Sequence, residues 1–166
     1  IRLSSRPGSG TSFCFTIPYT PIAAEEPIPP EQNRNARSDY GTFNVLAADD
    51  DTISLKLLEK ILVPLGGKVI TAVSGAQAVE LCRKHHDLKI IFMDVRMSGT
   101  DGLTATSEIR KFNRDVIIIA QTANALPGDR DAALKAGCDD YVAKPLNKDK
   151  ITSVLDKFIR KSAKAG

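Results

Sequence analysis

The stretch that decides the fold is KIIFMDVRM, residues 89–97. Its residues 90–93 form a continuous apolar run, which is typical of a strand buried on both faces of a sheet. Asp94 ends this run, where burial of a carboxylate is costly unless a cation or hydrogen-bond donors compensate it. An aspartate at the end of a core strand therefore needs a chemical reason.

Four further apolar runs resemble this one, and segments of helical period separate them. Continuously apolar strands that alternate with helices predict a parallel sheet covered on both faces rather than an α+β arrangement. We therefore expect an α/β domain of the flavodoxin-like kind, a doubly wound five-stranded parallel sheet in the order 2-1-3-4-5 with five helices. The predicted strands are residues 44–48, 68–73, 89–94, 116–122 and 140–144.

Two of the helical segments carry a clear apolar stripe that we expect to pack against the sheet. The stripes are Ile53, Leu57, Leu58, Ile61 and Leu62 in the first segment, and Ile151, Val154, Leu155, Phe158 and Ile159 in the last.

Composition excludes several classes of protein. The 166 residues are 42% hydrophobic and carry a formal charge of +3, with basic and acidic residues interspersed, so we expect no nucleic-acid surface. Three cysteines without metal-type spacing favour a reduced, cytoplasmic setting. No apolar run approaches the roughly 20 residues of a membrane helix, so we expect no membrane contact by these residues. The chain begins at Ile1, and we expect it to be part of a longer protein.

The first 42 residues differ in composition from the rest. Residues 19–42 are rich in Pro, Glu, Asn and Arg, which predicts a flexible linker. Before them, SRPGSGTSFCFTIPY (residues 5–19) reads as a glycine-rich turn and one alternating strand, Thr11–Ile17. We expect this strand to lack a partner and therefore not to be stable alone.

Polar residues follow four of the five predicted core strands. The first strand ends in the run Asp49–Asp51, the third in Asp94, the fourth in Thr122 and the fifth in Lys144. In open parallel sheets the functional crevice lies outside the carboxyl ends of the strands, so these side chains should share one edge.

Each of these residues has an ordinary explanation when taken singly. Asp51 could be a helix N-cap, Asp49 a solvated acid, Thr122 a strand-end hydroxyl and Lys144 a surface charge. Together they favour chemistry, because clustered carboxylates repel one another and require a cation. Carboxylate oxygens on a partly open site suit Mg²⁺, which commonly bridges to phosphate. The set therefore predicts phosphoryl transfer with a carboxylate nucleophile.

The chain from Phe43 to about Lys161 resembles the receiver domain of two-component response regulators. The motifs that carry this resemblance are VLAADDDT, IIFMDVRMSGTDG, IIAQTA and YVAKPL. The resemblance implies that Asp94 accepts a phosphoryl group from a phosphohistidine. It also implies that Mg²⁺ is bound by Asp50, Asp94 and the backbone carbonyl of Arg96, with Asp49 acting mainly through water.

The same resemblance assigns roles to further residues. Thr122 and Lys144 would contact the phosphoryl oxygens, and Tyr141 would be an aromatic switch that turns inward when Thr122 moves. Arg96 and Asn124 fall where the family tunes dephosphorylation. Ser98 is a departure, since receivers usually carry Pro there, and we expect it to make the loop more mobile.

The front segment is similar to the last glycine box and final strand of the ATP-binding domain of histidine kinases. The implied order is a kinase remnant at 1–18, a linker at 19–42 and a receiver at 43–163, which is the arrangement of a hybrid histidine kinase. The implied partners are the kinase dimerisation domain that carries the phosphohistidine and a histidine phosphotransfer protein. We do not expect these residues to bind ATP by themselves, and the sequence leaves open whether a parent protein is membrane-anchored.

Three alternatives compete with this interpretation. A haloacid-dehalogenase-like phosphatase would need Thr or Val four residues after Asp49, where this chain has Ile53. A flavin-binding flavodoxin would not place three aspartates in its phosphate loop, because they repel phosphate. A receiver-like docking module that is not phosphorylated remains open, although all five chemical residues are present.

Overall fold

The computed structural model describes residues 2–6, 8, 10–16, 40–123 and 127–159, and it divides into one unit within residues 1–35 and another within 36–166. The first unit contains a two-stranded hairpin and the second an α/β domain. No helix of the described part is long and apolar enough to cross a membrane.

The hairpin corrects the expectation of a lone strand. Strand β1 (Arg2–Arg6) pairs antiparallel with β2 (Gly10–Cys14), and Leu3 lies opposite Phe13. Gly8 and Gly10 at the turn have φ values of 76° and 89°, a region that glycine enters without strain. The pairing was missed because RLSSR contains a single large apolar residue and gives little strand signal. The observed β2 also starts earlier and ends earlier than the predicted Thr11–Ile17, whose last residue lies outside the described residues.

The α/β domain confirms the predicted fold. Its five parallel strands have the order β4-β3-β5-β6-β7, which is 2-1-3-4-5 counted within the domain, and five helices connect and follow them. The strands are β3 (Phe43–Ala48), β4 (Gly67–Ala72), β5 (Leu88–Asp94), β6 (Ile117–Thr122) and β7 (Asp140–Ala143). The helices are α1 (Thr52–Leu62), α2 (Gly75–Lys84), α3 (Gly102–Arg110), α4 (Pro127–Ala136) and α5 (Lys148–Phe158), with a short 3₁₀ helix at Val63–Leu65.

Two apolar cores lie on opposite faces of the sheet. On one face, which we call the α1/α5 face, Phe92 packs among residues of α1 and α5. On the other, the α2–α4 face, Met93 packs among residues of α2, α3 and α4. Because successive side chains of a strand alternate between faces, Asp94 shares the α1/α5 face with Phe92.

The stripe predicted for α1 is partly wrong, whereas that of α5 is confirmed. Ile53 is 75% exposed and Leu57 is 38% exposed, while Leu55, Leu58 and Leu62 are buried. The phase of the helix explains the error, since Ile53 lies about 140° around the axis from Leu58. Four of the five residues predicted for the last helix lie in α5 and the fifth, Ile159, directly follows it, and all five are buried or pack against the α1/α5 core.

Tyr40 contacts the α/β domain from within the stretch that we assign to the linker. Its ring packs against the α1/α5 core, and its hydroxyl donates to Asp156 Oδ1 on α5 at 2.9 Å. The contacts of the domain therefore begin at least three residues before β3.

Candidate functional site

The carboxyl ends of β3, β5 and β7 bring three predicted residues into direct contact. The Lys144 ammonium donates to Asp49 Oδ2 at 2.8 Å and to Asp94 Oδ2 at 2.9 Å. Asp49 is fully buried and Asp94 is only 6% exposed. Topology alone explains this convergence, because parallel strands deliver their ends to one edge of the sheet.

The electrostatics of this group favour a reactive carboxylate. Burial raises the pKa of Asp94, and the neighbouring Asp49 charge adds to this effect, while the Lys144 ammonium only partly offsets it. Burial opposes the charge of Lys144, but its hydrogen bonds to Asp49 and Asp94 outweigh burial and hold its pKa above the usual value. Lys144 therefore stays protonated and supplies one positive charge to two carboxylates.

A third carboxylate joins them from the loop after β3. Asp49, Asp50 and Asp94 each offer an oxygen, and these oxygens all lie within 4.8 Å of one another. Asp50 is exposed, so the cluster opens to solvent on its side. Three carboxylates with one shared ammonium leave an excess of negative charge, and hard oxygen ligands at a partly open site fit Mg²⁺.

Asp51, the last residue of the acidic run, is the N-cap of α1. Its carboxylate accepts hydrogen bonds from the backbone N–H groups of Ile53 and Ser54 and so caps the N-terminus of α1. The run of three aspartates thus divides into two acids at the cluster and one cap.

Ser98 makes a contact that sequence reasoning missed. Its backbone N–H and its hydroxyl both donate to Asp50 Oδ2, at 2.9 Å and 2.7 Å. These two bonds lower the pKa of Asp50, the hydroxyl contributing most. The signal was available, since Ser has two donors where Pro has none.

Thr122 and Tyr141 lie toward the other face of the sheet. Thr122 ends β6, is 7% exposed and has the parity of Ala120, which packs in the α2–α4 core. Tyr141 packs against the same core, and the guanidinium carbon of Arg130 on α4 lies 5.8 Å from the centre of its ring. A change at Thr122 is therefore positioned to reach Tyr141 and α4.

Arg96 is one of the two residues predicted to tune dephosphorylation, and it lies within the described structure. Arg96 is exposed two residues after Asp94, and its backbone N–H donates to Asp94 Oδ1 at 3.3 Å. Asn124 lies outside the described residues.

Gln121 is a second feature that the sequence reasoning missed. It is the register partner of Asp94 on β6, and its side chain is fully buried. Within the described structure neither polar atom of its amide has a hydrogen-bond partner. A buried amide left without a partner costs about 1–3 kcal/mol.

A cavity of about 410 Å³ opens beside Lys144. Its walls include Lys144 and two residues of α1. Its lining consists of Ser54, Leu57, Ala123, Lys144, Pro145 and Leu146.

Comparison with known proteins agrees with this geometry. Residues 45–156 match the family model described as the response regulator receiver domain. Two-component system protein A of Emericella nidulans is 36% identical over 90% of this chain, and Sensor protein EvgS of Escherichia coli O157:H7 is 34% identical over 95% of it. The chain spans 24% and 13% of the length of these two relatives.

Solved structures give the same result. The receiver domain of sensor histidine kinase PA1611 from Pseudomonas aeruginosa, solved with a magnesium ion in its active site cleft, is 37% identical with a TM-score of 0.66, over 72% of this chain and 98% of that one. The Saccharomyces cerevisiae Ssk1 receiver domain, solved with the histidine phosphotransfer protein Ypd1, gives 29% identity and a TM-score of 0.70, over 74% and 92%. With its fold, its acidic cluster and its match over residues 45–156, the chain belongs to the response regulator receiver domain family.

Proposed function

We propose that this domain takes a phosphoryl group from a phosphohistidine onto Asp94 in a Mg²⁺-dependent phosphorelay, as the receiver of a hybrid histidine kinase. The observation that carries the proposal is the Lys144 ammonium between Asp49 and Asp94, with a third carboxylate within 4.8 Å. This arrangement combines a nucleophile, a fixed cation and ligands for a metal.

The chemical step is an exchange of one bond to phosphorus for another. A carboxylate oxygen of Asp94 attacks phosphorus, the P–N bond to the donor imidazole breaks, and the imidazole nitrogen keeps the electron pair. Mg²⁺ held by Asp50, Asp94 and the backbone carbonyl of Arg96, with Asp49 acting through water, would neutralise charge on the transferred oxygens.

Lys144 and Thr122 complete the step. Once Asp94 carries the phosphoryl group, its carboxylate charge is gone and Lys144 is free to pair with a phosphoryl oxygen. The Thr122 hydroxyl donates to another oxygen. Displacement of Thr122 allows the Tyr141 ring to turn inward. The surface around α4 then shifts from one conformation toward a second one.

The context of the domain is part of the proposal. EvgS is a sensor protein, and GacS of Pseudomonas protegens, 30% identical over 78% of this chain, is a sensor histidine kinase. Residues 1–18 would be the end of an ATP-binding domain, and residues 19–42 a linker. The donor is then a histidine on the kinase dimerisation domain, and a histidine phosphotransfer protein is a further partner, as Ypd1 is for Ssk1. The cavity beside Lys144, whose ammonium donates to Asp94, is where we place the donor imidazole.

Incubation with acetyl phosphate and Mg²⁺, followed by intact mass measurement, tests the proposal. We expect one phosphoryl group on the wild type and on Asp115→Asn, a control that changes an exposed acid outside the cluster. EDTA and Asp94→Asn should each abolish incorporation. Equal incorporation in Asp94→Asn, or incorporation that EDTA does not reduce, would contradict it.

A further inference from the structure

The contact between Ser98 and Asp50 joins the two loops that carry the proposed metal ligands. Asp50 lies in the loop after β3, and Ser98 lies in the loop after β5, four residues beyond Asp94. One oxygen, Asp50 Oδ2, accepts from both the N–H and the hydroxyl of Ser98, at 2.9 Å and 2.7 Å. Hydrogen bonds to an ionised acceptor are shorter and stronger than those between neutral groups.

We propose that Ser98 is a positioning residue for Mg²⁺, which holds the Asp50 carboxylate in its ligating orientation before the metal binds. The inference rests on the proposed function, because it assigns Asp50 to the metal. Ser98 contacts the Asp50 carboxylate, a proposed metal ligand, and acts on it rather than on the metal itself.

Two physical effects support this assignment. Asp50 is exposed, and without a partner its side chain would sample several rotamers whose loss on metal binding costs entropy. The negative charges of Asp49 and Asp94 also repel the Asp50 carboxylate and favour rotamers that point away from the cluster. Two donors on Oδ2 oppose both effects and leave the other oxygen for the metal.

The identity of the residue decides whether this contact can form. Pro, which receivers usually carry at this position, has neither an N–H nor a hydroxyl and would leave Asp50 Oδ2 without both donors. Ala would keep the N–H and lose the hydroxyl, and Thr would keep both. These three substitutions form a graded series at one position.

The test is a titration of the whole chain with Mg²⁺. Binding is monitored through the amide chemical shifts of Asp49, Asp50 and residue 98. We expect Ser98→Thr to bind like the wild type, Ser98→Ala to bind more weakly, and Ser98→Pro to lose about tenfold in affinity, as is typical when a partner of a metal ligand is removed. Ser107→Ala is the matched control, since it removes a serine hydroxyl that donates to the carbonyls of Leu103 and Ala136 on α3 and α4.

Melting temperatures without Mg²⁺ show whether each variant is folded, and Ser98→Ala keeps the test valid if Ser98→Pro does not fold. Affinity in Ser98→Ala and Ser98→Pro equal to or higher than in the wild type would overturn the role of Ser98 and leave the proposed function intact. A wild type that binds no Mg²⁺ would overturn both.

Discussion

The two ends of the sheet each hold a basic side chain against aspartate, but they differ in how its charge is matched. At the carboxyl end, Lys144 is shared between Asp49 and Asp94. At the amino end, Arg110 of α3 donates to Asp139 Oδ2 at 2.6 Å and to backbone carbonyls, among them those of Gly137 at 2.8 Å and Val116 at 2.6 Å.

The amino end is balanced in charge and in hydrogen bonds. All three guanidinium nitrogens of Arg110 donate, and Asp139 Oδ2 also accepts from the Ile118 N–H at 2.7 Å. At the carboxyl end three carboxylates lie close together, and two of them share one ammonium. The buried amide of Gln121 lies at the same end and has no hydrogen-bond partner in the described structure. The first arrangement is balanced in charge and stabilises the fold, whereas the second leaves negative charge that a bound cation would neutralise.

The largest effect should come from removing the cation of the carboxyl end. Lys144→Met leaves Asp49 and Asp94 buried without a counter-charge and removes a donor to the transferred oxygens. We expect the rate of phosphorylation by acetyl phosphate to fall on the order of 100-fold. Lys68→Met, which changes an exposed lysine of β4, is the control and should leave the rate unchanged. A wild-type rate in Lys144→Met would show that the contact has no chemical role.

The equivalent change at the amino end should affect stability instead. Arg110→Met removes a partly exposed ion pair and takes a donor away from several carbonyls, so we expect the free energy of unfolding in urea to fall by about 1–3 kcal/mol. The phosphorylation rate of the folded protein should not change. Arg83→Met, at the same end, loses a stacking contact in which the guanidinium carbon lies 4.0 Å from the centre of the Phe112 ring, and it should cost at most about 1 kcal/mol. Equal losses in the two variants would contradict the role given to Arg110.

Thiol labelling measures local opening of the amino end, which Arg110→Met should also increase. Burial raises the pKa of Cys138, and Cys138 precedes Asp139, the partner of Arg110. Its thiol should therefore react with iodoacetamide only when the amino end opens, and faster in Arg110→Met. Cys14 is exposed and serves as the internal reference, with the same rate in both proteins.

Because the pKa of Asp94 is raised, the stability of the metal-free protein should depend on pH. The native state holds the Asp94 proton more tightly than the unfolded state, so stability falls as pH rises from about 4, the ordinary aspartate value, through the raised native value. In Mg²⁺-free buffer, Asp94→Asn should therefore gain stability relative to the wild type over this range.

The amino end again provides the contrast. Asp139→Asn should lower the free energy of unfolding, because it weakens the acceptor of the Arg110 and Ile118 bonds. Urea unfolding at a series of pH values measures both variants. A difference between wild type and Asp94→Asn that grows in favour of the wild type with rising pH would contradict the assigned direction.

The smallest effect concerns Gln121. Its amide has no hydrogen-bond partner among the described residues, so replacing it by Met should raise the free energy of unfolding by about 1 kcal/mol. Ile119→Met, on the same face of β6 and fully buried, should instead lower it slightly, because an optimised apolar contact is lost. Thermal melts of the two variants distinguish them, and a loss of stability in Gln121→Met would show that its amide has a structural partner.

Much of the domain could be predicted because its signals are local. Continuous apolar runs located all five core strands to within one residue at each end. The convergence of Asp49, Asp94 and Lys144 followed from the rule that parallel strands end at one edge. The Asp51 cap was also available as a local pattern.

What was missed depends on contacts distant in sequence or on phase. The Arg110 network joins α3 to carbonyls of two other segments, and carbonyls leave no mark in the sequence. The buried stripe of α1 depends on the phase of the helix, which placed Leu55 inside and Ile53 outside. The Ser98 contact spans 48 residues, and the hairpin partner of β2 was hidden by its polar composition.

The most direct test of the central claim is to locate the phosphoryl group after transfer from a phosphorylated histidine protein. Borohydride reduces an aspartyl phosphate to homoserine, so peptide mass spectrometry of the reduced protein identifies the residue that carried it. We predict homoserine at position 94 in samples prepared with Mg²⁺ and none in samples prepared with EDTA. Reduction at another aspartate, or an unmodified Asp94 in protein that has gained phosphate, would contradict the account.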